Sequence, residues 1–245
     1  MLPRDDTPVV VFDLDGTILR VNSFPRWVLF LIVGRLPGLG LYRRMLLSLR
    51  TLSLLLRRKL ARASHEDFLW RLQDVVRSVC AALPVMDRFE ASLLRQVRPN
   101  LAMLLQLVTE RRIESVLATA APEDYAAGVG RRLGFRFVLA TRANRRRGEP
   151  GNSGINKRAA VTALFAERGW SGRPVILFTD HADDLPLMRD SIAVYWCGPR
   201  SALERAAVAA ANIQFVFCGD LSSAEIAARV LEACQLERLP ESVAS

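Results

Sequence analysis

Short, continuous apolar runs recur along the chain, and the first closes on an acidic residue. It reads PVVVFD (8–13). ESVLAT (114–119), RFVLAT (136–141), PVILFTD (174–180) and SIAVYW (191–196) repeat the form, and IQFVF (213–217) adds a candidate edge strand. A run that is apolar at every position, rather than at alternate ones, predicts a strand covered on both faces. Between the runs the apolar spacing becomes that of a helix. PEDYAAGVGRRLG (122–134) offers Pro122 for a first turn and Gly134 for a stop. NKRAAVTALFAERG (156–169) offers Asn156 as N-cap and Gly169 as terminator. Strands alternating with helices predict an α/β fold: a doubly wound, mostly parallel sheet with helices on both faces.

Residues 20–98 break this alternation. The stretch holds no strand-like run and reads as several helices, with Pro37, Gly38 and Gly40 separating the first from the second. SHEDFLWRLQDVVRSVCAAL (64–83) opens on a helix-start signal, Ser64 as N-cap with Asp67 at the third helical position. The expectation is an all-helical insertion, 20–98, into an α/β domain built from 1–19 and 99–245. A chain of 245 residues has room for both.

Charge sharpens this division. Of the net +9, residues 20–98 contribute fifteen basic against five acidic side chains, a net +10, which leaves the remainder at −1. From Gly16 through His65 there are ten basic residues and no acidic one, so the positive field belongs to the insert. Within residues 24–62 the longest uncharged run, Trp27 to Gly34, has eight residues, far short of the roughly twenty a membrane span requires. Farther on, Arg43, Arg50 and Arg57 recur every seven residues and form one helical stripe, with Arg44 and Arg58 beside it. Leu46, Leu47, Leu49, Leu52, Leu54, Leu55 and Leu56 cover most of the remaining surface. A cationic stripe beside a broad leucine face suits the interface of an anionic membrane, reached through residues 24–62; the alternative is a helix buried on its neighbours with solvated arginines. Nucleic acid is not an expected partner, because the segment interleaves leucine rather than aromatics and carries no binding motif.

The four cysteines, Cys80, Cys197, Cys218 and Cys234, have no metal-binding spacing and read as reduced core thiols. MLPRDDTP lacks the charge and adjoining apolar core of a secretory signal. The expected location is therefore cytoplasmic, peripheral on the inner membrane face if the insert meets lipid.

Candidate chemistry gathers where the apolar runs end. Sites in open parallel sheets form beyond the carboxyl ends of strands. Asp13 and Asp15 lie at such an end, followed by Gly16. A DxD alone also suits an ordinary Asp/Gly turn. It does not open an EF-hand, because the twelfth position from Asp13 is Phe24 rather than glutamate. Thr119 ends the second run, Asp180 ends the fourth, and Asp184 follows four residues later with Asp183 adjoining. Lys157 begins the helix between those runs, one of two lysines in a chain with 32 arginines, where a compact ammonium differs from a guanidinium fork. His181 reads as a polar loop residue. GVGRRLG (128–134) lacks the spacing of a dinucleotide loop and falls within a helix.

Taken in order, DLDGT, Thr119, Lys157 and TDHADDLPLM resemble the four motifs of the haloacid dehalogenase superfamily of phosphatases, over residues 9 to about 200. The helical insert resembles the C1-type cap of the phosphoserine phosphatase-like branch. The resemblance implies Asp13 as nucleophile, forming an aspartyl-phosphate, and Asp15 as acid and then base. It implies Thr119 as a phosphoryl hydrogen-bond donor and Lys157 as charge compensation. It further implies Mg²⁺ held by Asp13, Asp180 and the backbone carbonyl of Asp15, with Asp184 completing the acidic loop as a ligand or beside one. Thr179-Asp180 departs from the usual Gly-Asp or Ser-Asp, and Asp183 competes with Asp184 for the last position. VVVFDLDGT, the link RVNSF and an arginine-studded apolar cap are also similar to bacterial phosphatidylglycerophosphatases of the C type. The implied substrate is thus a phosphorylated molecule, either a membrane lipid phosphate or a soluble metabolite. A catalytically silent binding protein would have no need of both carboxylates.

Overall fold

A computed structural model of the chain describes residues 7–33, 38–61, 64–80, 86–209 and 213–234. Its six strands are β1 (Val9–Phe12), β2 (Ser115–Pro122), β3 (Phe137–Thr141), β4 (Val175–Thr179), β5 (Ser191–Trp196) and β6 (Gln214–Phe217). All are parallel neighbours in the order β3-β2-β1-β4-β5-β6. The order reverses beside β1, and a crevice opens at such a switch point beyond the carboxyl ends of the strands. Each apolar run became a strand, β2 extending three residues beyond its predicted end and β6 lying at an edge.

The two faces of β1 explain its unbroken apolar sequence. Val10 and Phe12 enter one core cluster, with Leu117, Ile176, Phe178 and Tyr195. Val9 and Val11 enter the other, with Val116, Ala118, Leu177 and Trp196. Side chains alternate across a strand, so a strand covered by helices on both sides must be apolar at every position.

Ten helices are described. Four precede β2 in the insert: α1 (Ser23–Val33), α2 (Leu41–Ala61), α3 (His65–Cys80) and α4 (Asp87–Leu94). The others are α5 (Ala102–Thr109), α6 (Glu123–Arg132), α7 (Gly154–Arg168), α8 (Leu185–Met188), α9 (Arg200–Ala209) and α10 (Ser223–Ala233). Helices α5, α6 and α10 contribute to the cluster around Phe12, and α7, α8 and α9 to the one around Val11. The insert joins the former: Trp27, Leu47, Phe68 and Phe89 belong to the same continuous core as the sheet. Ring contacts of Tyr125 with Trp27 (5.5 Å) and Phe89 (5.1 Å) bridge the two parts.

The chain leaves for the insert and returns from it along one antiparallel path. Arg20 N–H donates to Gln96 O and Arg98 N–H to Ile18 O, each at 2.9 Å. A second tie lies at α3, where the buried Arg145 guanidinium donates to the Glu66 carboxylate at 2.8 Å, and Gln73 donates to Asp124 at 2.8 Å.

Local readings held in part. Ser64 caps α3, its hydroxyl accepting the Asp67 N–H at 3.2 Å, and Gly169 ends α7 in the left-handed conformation. Asn156 is not an N-cap. Ser153 O already accepts from the Asn156 N–H at 3.0 Å, so α7 starts at Gly154 and Asn156 falls in its first turn. Pro122 precedes α6 rather than lying within its first turn, because β2 runs through it. The glycines of GVGRRLG serve packing: a Cβ on Gly128 would overlap the Glu90 carboxylate of α4. Of the residues read as separating α1 from α2, Pro37 lies outside the described residues. So does the Cys80 side chain, whereas Cys197, Cys218 and Cys234 are free and buried. Among the described residues no helix is long and apolar enough to cross a membrane.

Candidate active site

Asp13 follows β1 directly, and its N–H donates to Phe178 O of β4 at 2.9 Å. It continues the alternation of Val9 and Val11 and so turns toward the sheet face covered by α7. On α7 the buried residues are Lys157, Val161, Leu164 and Phe165, one helical stripe with the lysine at its first position. The stripe carries the ammonium to the sheet's carboxyl end, where it meets Asp13 Oδ1 at 2.9 Å. It also meets both oxygens of Asp184, at 2.7 and 2.9 Å. Asp184 is fixed further by Thr179, whose hydroxyl donates to Oδ2 at 2.7 Å.

Asp15 lies two residues beyond Asp13 in different surroundings. Ser23, the first residue of α1, donates its backbone N–H to Oδ1 and its hydroxyl to Oδ2, both at 2.9 Å. The Ser23 hydroxyl lies 2.7 Å from the phenol of Tyr125, and both residues are buried.

Asp180 comes from the end of β4. Thr17 links it to Asp13, its hydroxyl 3.3 Å from Asp180 Oδ1 and 3.4 Å from Asp13 Oδ2. The intervening turn requires Gly16, which has φ +73°, and a Cβ there would overlap Asp180 Oδ2. Arg98 locks the same turn by donating Nη2 and Nε to Gly16 O at 2.7 and 3.2 Å.

Of the residues read from the sequence, Asp13, Lys157 and Asp184 touch directly, and Asp180 joins them through Thr17. Thr119 is buried at the level just beyond Asp13, given the Phe12–Leu117 register, but its hydroxyl accepts the Ala121 N–H at 3.1 Å rather than bonding a carboxylate. Asp183 faces solvent, where its carboxylate lies 3.3 Å from His181 Nδ1, so Asp184 is the member of the pair inside the cluster. Thr17, Ser23, Arg98 and Tyr125 were not singled out as site residues. Thr17 stands within DLDGT and Ser23 within the link RVNSF. Arg98 and Tyr125 carry no local signal.

Burial dominates the electrostatics. It raises Asp13 to about 7, against the opposing pull of Lys157, and Asp184 and Asp180 add to the rise. Burial raises Asp15 to about 6 against the hydrogen bonds from Ser23. Burial raises Asp180 too, while it opposes the charge of Lys157, whose pKa the paired carboxylates nonetheless push up. The ammonium thus pairs with two carboxylates, Asp13 and Asp184, while Ser23 holds Asp15 and Thr17 meets Asp180. The donors are all oxygens, a hard set that suits Mg²⁺ rather than a soft metal. Among the described residues no three His, Cys, Asp or Glu side chains form a ready metal cage.

A family model for haloacid dehalogenase-like hydrolases matches residues 10–189. No curated protein matches the sequence. Among solved structures, a Bordetella pertussis Tohama I protein of unknown function aligns with TM-score 0.64 at 18% identity, over 86% of this chain and 99% of that one. A probable phosphoserine phosphatase from Vibrio cholerae, in unliganded form, aligns with TM-score 0.55 at 12% identity, over 95% and 68%. A HAD family hydrolase from Salmonella enterica serovar Typhi aligns with TM-score 0.50 at 13% identity, over 88% and 70%. The matched segment runs from β1 through the Asp180–Asp184 loop, and with it the chain belongs to the haloacid dehalogenase-like hydrolases.

Proposed function

We propose that the chain is a Mg²⁺-dependent phosphomonoester hydrolase that works through an aspartyl-phosphate on Asp13. One observation carries the reading. Two carboxylates one residue apart sit in opposite surroundings, Asp13 against an ammonium and Asp15 against a neutral hydroxyl and an amide. Carboxylates separated in this way take different chemical roles.

In the first half-reaction a carboxylate oxygen of Asp13 bonds to phosphorus while the bond from phosphorus to the alcohol oxygen breaks, and Asp15 gives its proton to that oxygen. In the second, water attacks phosphorus and Asp15 accepts its proton. The bond from Asp13 to phosphorus then breaks, releasing inorganic phosphate and the free carboxylate. Raised to about 6, Asp15 can hold a proton for the first step and accept one in the second. Lys157 offsets the charge on Asp13 and the phosphoryl oxygens, and Thr119 of β2 donates to one of those oxygens. Asp13, Asp180 and the Asp15 carbonyl would hold Mg²⁺, with Asp184 oriented beside them by Lys157 and Thr179; the bound ion would polarise the phosphoryl group.

We assign residues 20–98 as the cap and a lipid phosphate at a membrane surface as the substrate. The acid-free sequence from Gly16 through His65 supports this assignment, since it favours an anionic surface over a neutral one. The test is phosphate release from phosphatidylglycerophosphate, phosphatidic acid, phosphoserine and an aryl phosphate, with and without Mg²⁺. Asp13→Asn is expected to abolish release from all of them, and unchanged activity in that variant overturns the mechanism. A preference for phosphoserine over both lipids overturns the lipid assignment alone.

A further inference from the structure

The sequence left open which leucines of α2 face outward. Its core-facing residues are Leu47 and Thr51, fully buried, with Leu54, Leu55 and Arg58 partly covered beside them. Leu41, Met45, Leu49, Leu52, Leu56 and Leu60 are all exposed, from 45% at Leu52 to 85% at Leu60. Their spacing of three and four residues makes them one stripe on the side of the helix opposite Leu47. The stripe runs the length of α2, about 28 Å at the α-helical rise. Leu29 and Val33 of α1 are also exposed, and an apolar groove of about 260 Å³ lies between the two helices, walled by Leu31, Ile32, Met45 and Leu49. Buried helices do not leave six large apolar side chains in line on the solvent side.

The charge around the stripe selects what covers it. Arg43, Arg50 and Arg57 are exposed along one flank, and α2 carries six basic residues and no acidic one. Arg58 is turned inward over the Phe68 ring, 5.1 Å from its centroid, so the sequence reading that set it beside the cationic stripe is corrected. Two copies of this face brought together would oppose like charges with no acid on α2 to compensate. An anionic bilayer satisfies both features at once, because its acyl region accepts the leucines and its headgroups accept the guanidinium groups.

We propose that the outer face of α2, with the exposed end of α1, docks in the plane of an anionic lipid bilayer. This deepens the lipid-phosphate reading and rests on it for its purpose, although docking itself requires no catalysis. Helix α1 ties the two together, since its first residue holds Asp15 and its last lies in the docking face.

The experiment is flotation of the full chain with vesicles of phosphatidylcholine, with and without a third phosphatidylglycerol, at low and high salt. Flotation is expected only with the anionic vesicles and is expected to weaken as salt rises. Leu49→Glu/Leu52→Glu/Leu56→Glu and Arg43→Gln/Arg50→Gln/Arg57→Gln are each expected to weaken binding by at least about tenfold. Thermal melting verifies that each variant is folded, and the arginine set suffices if the leucine set is not. Absence of flotation at low salt, equal flotation on neutral vesicles, or wild-type flotation in both variants overturns the proposal. A dimer in light scattering that the leucine set dissociates, without vesicle binding, assigns the face to a second copy instead. Wild-type Mg²⁺-dependent aryl phosphate hydrolysis is measured alongside. Its absence overturns the hydrolase reading and leaves docking standing, whereas its presence without flotation does the reverse.

Discussion

Ser23 holds both oxygens of Asp15, one through its backbone N–H and one through its hydroxyl, each at 2.9 Å. Because Ser23 also begins α1, the orientation of this carboxylate is tied to the insert's first helix rather than to the sheet alone. If Asp15 protonates the leaving oxygen, Ser23→Ala is expected to lower kcat about tenfold on an alkyl phosphate, the effect of one hydrogen bond to a charged group. An aryl phosphate, whose leaving group needs little proton assistance, should lose less, and KM should change little on either. Steady-state kinetics on the two esters decide it, and equal losses on both would reduce Ser23 to a purely structural residue.

Lys157 stands between Asp13 and Asp184 with all three side chains buried. Lys157→Met is expected to destabilise the metal-free protein by about 3–5 kcal/mol, because two buried carboxylates are left facing each other without a counter-charge. Urea denaturation without Mg²⁺ measures this, and a cost below about 1 kcal/mol would show that the pair is not held by the ammonium.

Gly16 combines a left-handed backbone with a position against Asp180. Gly16→Ala is expected to cost about 1–2 kcal/mol from the backbone alone. It should also push Asp180 away from Thr17 and Asp13 and weaken Mg²⁺ binding. Titration of the metal by calorimetry is the measurement, and unchanged affinity would remove Asp180 from the ligand set.

The raised carboxylates make stability depend on pH with a definite sign. Asp13 and Asp15 move up from 3.8 to about 7 and about 6, so between those limits the folded chain binds more protons than the unfolded one. Stability contributed by these groups is present at low pH and is lost as pH rises through the window from about 4 to about 7. Melting of the metal-free protein between pH 5 and pH 7.5 should therefore show a fall that Asp13→Asn reduces. Saturating Mg²⁺ should raise the melting temperature more at pH 7.5 than at pH 5, and an equal rise at both would contradict the assignment of these carboxylates as ligands.

Much of the fold was legible because buried parallel strands need apolar residues on both faces, and few other elements of that length share the pattern. Asp13 and Asp180 were legible for a related reason, since charged residues at the ends of apolar runs stand out against them, and Lys157 because it is one of two lysines beside 32 arginines. Thr17, Ser23, Arg98 and Tyr125 were not. Serine, threonine and tyrosine are common, one arginine among 32 is inconspicuous, and Tyr125 meets Ser23 across 102 residues of sequence. The N-cap assigned to Asn156 failed because the loop from Gly151 to Ser153 already turns the chain, a feature set by backbone hydrogen bonds rather than by residue type.

By itself the sequence determined the order of the strands along the chain, the acidic positions at strand ends and the confinement of positive charge to one insert. Those properties depend on neighbours in the chain, through side-chain periodicity and local charge density. Tertiary structure decided that Asp184 rather than Asp183 meets Lys157, that Ser23 holds Asp15, and that the leucines of α2 divide into a core-facing set around buried Leu47 and an exposed row. Each depends on which distant element packs against a given face, and a helix whose leucines spread over most of the surface outside its cationic stripe does not specify that face until its partners are in place.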